Sequence, residues 1–211
     1  MPDKELITVL TGDLVDSTGL GAAKTTRALR ALEASAAAQA AWHGAPLHFT
    51  RHRGDGWQVV LMRPELAWRS ALAFRAALRT LGQEYDSYFG FAQDHADATF
   101  GPDLNSATDP VFAASGHALD YVKARSGLRM SYSGFGPWEA ITTLVDHISQ
   151  DWTPAQAAAV EQVIAPNKAT TQTEAAKALG KSRQAVSKAL EAASFPQLDY
   201  ALRCIEDMVD A

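Results

Sequence analysis

The chain has 211 residues, of which 47% are hydrophobic and 20% charged, and its formal net charge is −5 at pH 7. This composition is that of a globular protein, and the acidic balance excludes a chain that binds polyanions over its whole surface. The single cysteine, Cys204, excludes an internal disulfide, and no apolar run reaches the roughly 18 residues of a membrane span. Because residues 1–10 do not resemble a signal peptide, we expect a cytoplasmic protein without a membrane partner, in which Cys204 is a small buried residue.

Residues 1–133 predict an α+β domain. The apolar run Leu6–Leu10 predicts a buried strand, and the Ala-rich stretch that ends at Trp42 predicts a helix of about five turns. Two β-rich runs, 47–52 and 57–62, flank a Gly-containing turn and predict a β-hairpin. A helix, a strand, a helix and a strand follow at residues 64–81, 88–92, 110–125 and 128–132. This order predicts a mostly antiparallel sheet.

Residues 134–211 are expected to be helical throughout. Gly134-Phe135-Gly136-Pro137 interrupts the chain, and five segments with helical periodicity follow it. We therefore expect a linker with a helix at 134–152 and a small all-α domain at 153–211. On the last helix a stripe of Leu198, Leu202, Ile205 and Val209 either covers the core of this domain or forms a dimer interface.

Residues 172–190 predict two short helices joined by a tight turn. Gly180 supplies the positive φ of the turn, and Ala176 is small enough for the second helix to cross close to it. Val186 and Leu190 give the second helix a buried inner face, and Ser182 can cap its N-terminus. The whole segment resembles the helix-turn-helix of phage repressors.

The polar residues that face outward from this segment are candidate DNA contacts. Their side-chain types bind phosphates and base edges in the major groove. Between residues 168 and 190 five basic residues, Lys168 among them, stand against the single acid Glu174, a local balance of +4 in a chain of net −5. The candidate DNA-binding residues are Gln172, Thr173, Lys181, Ser182, Arg183, Gln184, Ser187 and Lys188. Because such modules bind two half-sites, we expect a homodimer; a helical hairpin with a merely solvated face is the alternative.

Asp13 and Asp55 are candidate metal ligands, since one follows the first strand and the other lies in the hairpin turn. Two neighbouring carboxylates gain from a shared divalent cation, and Mg²⁺ prefers a few carboxylates together with phosphate oxygens. Asp16, Ser17, Thr18 and Gly19 then lead towards a helix N-terminus, where backbone N–H groups suit a triphosphate. The alternative is that both aspartates only cap turns.

These motifs resemble those of the class III nucleotidyl cyclases. The similarity lies in Thr11-Gly12-Asp13-Leu14-Val15-Asp16-Ser17-Thr18 and Arg53-Gly54-Asp55-Gly56, which are like the two metal motifs of that family. The chain is still more similar to the bacterial SatD-like proteins, relatives of poorly defined activity that carry a stretch like Ser115-Gly116-His117-Ala118-Leu119-Asp120. The resemblance implies a ferredoxin-like, palm-type sheet with helices on one face. It also implies that Asp13, Asp55 and the Leu14 carbonyl bind Mg²⁺ or Mn²⁺, and that Asp109 selects the nucleotide base.

The similarity to active cyclases breaks down after Asp109. The following helix of that family carries an Asn and an Arg that stabilise the transition state, whereas Phe112 and Gly116 stand at those positions here. Neither has a side-chain donor for the developing charge, and His117 and Lys123 are the nearest substitutes. We therefore expect a DNA-binding transcriptional regulator whose catalytically impaired N-terminal domain binds a nucleotide or metal, or dimerises. The alternatives are a Mg-dependent nucleotidyl cyclase with a helical regulatory tail, and a scaffold that binds neither ligand.

Overall fold

The computed structural model describes residues 4–52, 54–97, 99–166 and 170–209, so Arg53 and Lys168 lie outside the described residues. The predicted α+β class is confirmed. The strands are β1 (Glu5–Leu14), β2 (Thr50–Arg51), β3 (Gly56–Leu61), β4 (Ser87–Ala96) and β5 (Met130–Tyr132). The helices are α1 (Ser17–Leu20), α2 (Ala22–His43), α3 (Ala67–Leu81), α4 (Pro110–Lys123), α5 (Pro137–Ser149), α6 (Pro154–Val163), α7 (Gln172–Leu179), α8 (Arg183–Ala192) and α9 (Phe195–Val209).

The five strands form one mixed sheet in the order β2-β3-β1-β4-β5. The central strand β1 is antiparallel to both of its neighbours, and its register places Asp13 opposite Gly56 of β3 and Tyr88 of β4. The β2–β3 pairing is the predicted hairpin and is antiparallel, whereas β5 runs parallel to β4. The parallel pairing follows from the α4 crossover, which returns the chain to the end of the sheet where β4 began.

Helices cover both faces of the sheet, so the expectation of helices on one face is wrong. Leu10 and Trp57 belong to the large core that contains α2 and α3. Ile7 and Val9 point to the opposite face, where they pack with Val111 of α4. The strands are apolar on both faces, and a sheet of that kind must be covered on both sides.

The helix α3 is buried on all sides rather than on the single face that its periodicity predicted. Every residue from Ala67 to Leu78 is buried. The sheet and α2 cover part of α3, and α6 packs on it from the C-terminal part of the chain. One core cluster therefore runs from the sheet through α3 to α9. The division at residues 134–152 stays a prediction, and the packing across it is close.

The helix α5 closes the outer edge of β5. Asp146 Oδ2 accepts hydrogen bonds from the backbone N–H groups of Arg129 and Met130, at 2.7 and 3.2 Å, and Glu139 Oε2 accepts one from Tyr132 N. Edge-strand N–H groups that would otherwise be open to another chain are thus satisfied by side chains.

The stripe on α9 covers the protein's own core. Leu198, Leu202 and Ile205 are each at most 5% exposed, while the side chain of Val209 lies outside the described residues. Cys204 is on the outer side of α9 and is exposed, so the expectation of a buried cysteine is wrong. In the described ranges no helix is both long and apolar enough to cross a membrane.

Candidate functional site

The predicted site residues form two separate groups. The first group lies on the helix pair α7–α8. Gly180 ends α7 in the left-handed region with φ 61°, and the chain then reverses through a hydrogen bond of 2.9 Å from Lys181 N to Ala176 O. Ser182 begins α8 as its N-cap, because its Oγ accepts from Ala185 N at 3.1 Å. The roles expected for Gly180 and Ser182 are confirmed.

The inner side of the pair is packed as its spacing predicted. Ala176 is 5% exposed, Val186 is 2% exposed and Leu190 is 6% exposed. Because α8 packs against α6, α7 and α9, its inner face is covered by these helices and its opposite face is left towards solvent.

Basic side chains stand on the outer side of α8 and in the turn before it. Lys181, Arg183 and Lys188, together with the neutral Gln184, are exposed, and their side chains make no hydrogen bond and no ion pair in the part of the chain that the structure describes. Ser187 is half-buried and donates to Glu191 at 3.3 Å. An exposed cluster of unpaired cations gains most from a partner that supplies fixed negative charge.

The remaining candidates of this segment lie at its start. Gln172 is half-buried and Thr173 is exposed in the first turn of α7. Thr171 caps that helix in a capping box with Glu174, at 3.2 Å from Thr171 Oγ1 to Glu174 N. The N-terminus of α7 is therefore satisfied internally and serves to position the helix.

The second group lies at the end of β1. Leu14 N donates to Asp55 O at 3.4 Å, so Asp13 and Asp55 belong to neighbouring chain segments at the same end of the sheet. Asp13 Oδ2 forms an ion pair with the ammonium of Lys123, which reaches it from the last turn of α4. The hydrogen bond from Lys123 to Asp13, together with the charges of Asp13, Asp55 and Asp120, raises the pKa of Lys123. The two aspartates thus act on one cation that belongs to the chain itself.

A cleft of about 410 Å³ lies beside this ion pair. On its floor a buried polar chain connects the sheet to α4: Gln58 Nε2 donates to Thr11 Oγ1 at 2.7 Å, and Thr11 Oγ1 lies 2.7 Å from Ser115 Oγ. His52, which also lines the cleft, approaches Gln58 Oε1 at 3.3 Å. Sequence reasoning missed this chain of contacts, because its members are separated by up to 104 positions.

Gly12 in the first motif is required by packing. A Cβ at this position would lie 2.1 Å from the ring of Trp57, which is fully buried and donates to Ser87 Oγ at 3.0 Å. No side chain fits there without moving the indole. The glycine that looked like part of a ligand motif is therefore explained by the core.

The expected nucleotide-binding residues are spread over two places. Asp16, Ser17, Thr18 and Gly19 form the start of the four-residue helix α1, where the Asp16 carboxylate accepts from Gly19 N at 3.2 Å. Asp109 precedes α4 at the end opposite to Lys123, about 20 Å away by the helical rise. One copy of the chain therefore does not bring Asp109 to Asp13.

The oxygen ligands around Asp13 are of the types that a divalent cation prefers. Two carboxylates and a carbonyl resemble a Mg²⁺ site that phosphate oxygens complete. No group of three or more His, Cys, Asp or Glu residues that could hold a metal is found in the described ranges. Lys123 already pairs with Asp13 Oδ2, so a divalent ion at this carboxylate would compete with an internal cation for that oxygen.

Comparison with known proteins adds no assignment. No protein-family model matches the sequence, and no curated protein matches it either.

Proposed function

We propose that this protein is a DNA-binding transcriptional regulator in which α7 and α8 form a helix-turn-helix and α8 is the recognition helix. The observation that carries the proposal is the outer face of α8 with the turn before it, where Lys181, Arg183 and Lys188 are exposed and have no ion-pair partner among the described residues. A helix of this size fits the major groove of B-DNA, and its N-terminal residues then reach the base edges.

The residues of α8 and of the turn before it divide into two roles in this proposal. Arg183 and Gln184 lie in the first turn and read base edges, since Arg bonds to guanine and Gln to adenine in a bidentate manner. Lys181 and Lys188 contact phosphates, which fix the register of the protein on the duplex. Ser187 can serve either purpose.

Replacing Arg183 by Ala tests the base-reading role. We expect the specific DNA complex to weaken by about 5- to 150-fold and the preference at one base position to relax. Binding is measured by fluorescence anisotropy on a site selected from random duplexes at a fixed salt concentration. Arg30→Ala is the matched control, because Arg30 is exposed on α2. Equal affinity of the Arg183 variant and the wild type would contradict the assignment of α8.

Replacing Lys188 by Ala tests the phosphate role. We expect weaker binding to specific and unrelated duplexes alike, and a slope of log K against log salt that is smaller by about 1. Titrations at four salt concentrations measure this slope. A change in sequence preference with an unchanged slope would show that Lys188 reads bases instead.

For residues 1–133 we propose a sensor or dimerisation role rather than catalysis. The order β2-β3-β1-β4 is that expected for a βαββαβ, ferredoxin-like arrangement, which supports the palm-type resemblance. A homodimer could combine Asp13 and Asp55 of one copy with Asp109 of the other, which a single copy keeps apart. Mg²⁺ or Mn²⁺ with a nucleotide is the proposed ligand.

A nucleotidyl cyclase is the second candidate function, because Asp13 and Asp55 lie at one end of the sheet. Incubation with the four nucleoside triphosphates and Mn²⁺, followed by chromatography, tests it. We expect no cyclic product, since Phe112 and Gly116 provide no side-chain donor. A cyclic product that is lost in Asp55→Ala and kept in Asp120→Ala would establish the enzyme instead.

A further inference from the structure

The helix α5 has an unusual distribution of residues, because its buried side is largely polar. Its buried residues are Thr142, Val145, Asp146 and Ser149. Trp68 Nε1 donates to Thr142 Oγ1 at 2.9 Å, and Arg75 donates to Asp146 Oδ1 at 2.8 Å and to Ser149 Oγ at 2.6 Å. Hydrogen bonds thus help to fix this side of α5 on the molecule.

The opposite side of α5 carries an apolar stripe that is open to solvent. Pro137, Ala140, Leu144 and Ile148 recur at intervals of three or four residues, so they lie along one face of the helix and form what we call the α5 stripe. Leu144 is 62% exposed and Ile148 is 38% exposed. Phe135, which directly precedes this helix start by two residues, is 94% exposed. Large exposed apolar side chains gathered in one short segment are typical of an interaction surface.

The α5 stripe is suited to a second copy of itself. A two-fold axis brings each residue close to its own copy or to that of a neighbour, so a charged stripe would meet like charge, and the α5 stripe has none. When two α5 helices cross antiparallel at Leu144, Ile148 of one copy lies opposite Ala140 of the other, because both are four residues from Leu144. A large residue then meets a small one on each side of the axis, which allows the two helices to interdigitate.

The ends of α5 are complementary in charge in the same arrangement. Asp151 follows α5, is exposed, and makes no hydrogen bond or ion pair in the part of the chain that the structure describes. The N-cap of α5, Gly136, provides no side-chain cap, and the first-turn acid Glu139 is directed to β5. Asp151 and Pro137 are each seven residues from Leu144, so Asp151 of one copy lies beside the positive N-terminal end of the other copy's helix.

From these observations we infer that the α5 stripe is a homodimer contact, in which two α5 helices pack antiparallel around a two-fold axis near Leu144. The inference rests on the proposed DNA-binding function, for which a homodimer is expected, and it names the surface that forms this homodimer. One face of a short helix buries less than the roughly 800 Å² per partner of a standard interface. We therefore expect a reversible dimer with a Kd on the order of 10 µM.

Sedimentation velocity of the full chain without DNA tests the contact. We expect the wild type to shift from monomer to dimer between about 1 and 200 µM. Leu144→Glu places two like charges at the axis and should weaken the dimer at least about tenfold. Tyr200→Glu is the matched control, because Tyr200 is 73% exposed on α9, and it should leave the dimer unchanged. Melting temperatures close to that of the wild type show that both variants are folded.

A cross-link locates the axis independently. The exposed Cys204 is first removed as Cys204→Ser. In this background, a short bis-maleimide should join Leu144→Cys into a covalent dimer and should leave Ala37→Cys, exposed on α2, as a monomer. A wild type that stays monomeric at the highest concentration would overturn the inference. So would a dimer that survives Leu144→Glu, or one that dissociates in Tyr200→Glu instead.

DNA titrations separate a failure of this contact from a failure of the proposed function. On a duplex with two half-sites, Leu144→Glu should bind at least about tenfold more weakly than the wild type, whereas on a single half-site both should bind equally. Arg183→Ala should weaken binding to both duplexes. A dimer that depends on Leu144 but does not bind DNA would support the contact and contradict the proposed function. A monomer that binds DNA through α8 would overturn the contact alone.

Discussion

At the scale of single residues, the buried imidazole of His43 is held in its neutral form. It is 4% exposed, its Nδ1 accepts from Arg63 N at 3.3 Å, and its Nε2 therefore carries the proton that it donates to Ser70 Oγ at 2.9 Å. Burial, and to a smaller extent the charge of Arg63, lowers the pKa of His43 to about 4. Protonation would break the bond from Arg63 N and place a second cation beside that residue.

This pKa predicts a dependence of stability on pH. Between pH 6.5 and about 4 the unfolded chain binds a proton at His43 that the folded chain does not, so stability falls as the pH is lowered. We expect the free energy of unfolding to decrease by about 2 kcal/mol from this residue between pH 7 and pH 5. Urea titrations at both pH values measure it. His43→Gln should be less stable at pH 7 but should lose this share of the pH dependence, and His147→Gln, on the exposed side of α5, should keep it.

The residues that sequence reasoning placed correctly are those with local causes. Gly180 and Ser182 have roles set by their neighbours within five positions, and Val186 and Leu190 follow helical spacing. Lys123 could not be placed in the same way, because its partner Asp13 is 110 positions away. Which carboxylate a distant lysine meets depends on the register of the sheet and on the end at which α4 stops.

At the scale of elements, Arg69 holds the C-terminal helices on α3. It is 1% exposed and bonds to Glu206 of α9 through Nε, to Asp199 Oδ1 at 2.8 Å and to Ile164 O at 2.9 Å. A guanidinium can satisfy several acceptors in one plane, which a lysine could not. Three segments that are far apart in sequence therefore meet at one buried cation.

Replacing Arg69 by Ala should cost about 3 kcal/mol of stability, because it leaves two partly buried carboxylates and a carbonyl without their partner. Urea denaturation monitored by circular dichroism measures the loss. Arg203→Ala is a matched control, since Arg203 also pairs with Asp199 but has a side chain that is 67% exposed. That variant should lose less than about 1 kcal/mol. Similar losses in both variants would show that burial does not increase the contribution of Arg69 to stability.

The elements themselves were predictable in order and type, but their surroundings were not. The first turn of the segment 64–81 is a 3-10 turn at Pro64–Leu66, and α3 then continues to Leu81. Its apolar face suggested contact with one layer, whereas the alanines and Arg69 on its other sides are buried by later helices. The spacing of apolar residues shows which face of a helix is apolar, but it does not show which polar side chains will find partners after folding.

At the scale of the whole molecule, the composition shift near residue 134 suggested two domains, and the packing shows a joint core. Trp152 follows α5, is 2% exposed, and donates to Ala193 O at 3.0 Å. Trp68 on α3 lies 5.1 Å from the ring of Trp138 on α5. Aromatic contacts on both sides of residue 134 thus belong to one cluster. Sequence patterns reveal where helices replace strands, but independent folding depends on the contacts between the two parts.

This joint core predicts one cooperative unfolding transition for the full chain. Residues of the sheet, α3, α6 and α9 share buried neighbours, so opening the C-terminal helices would expose the apolar side of α3 and leave Arg69 without its partners. We expect urea curves from far-UV circular dichroism and from the fluorescence of the five tryptophans to coincide, with one midpoint and one slope. Arg69→Ala should shift both curves together. Two separated transitions, or a fluorescence change that precedes the loss of helix, would mean that the C-terminal helices form an independent domain and that the packing on α3 is weak.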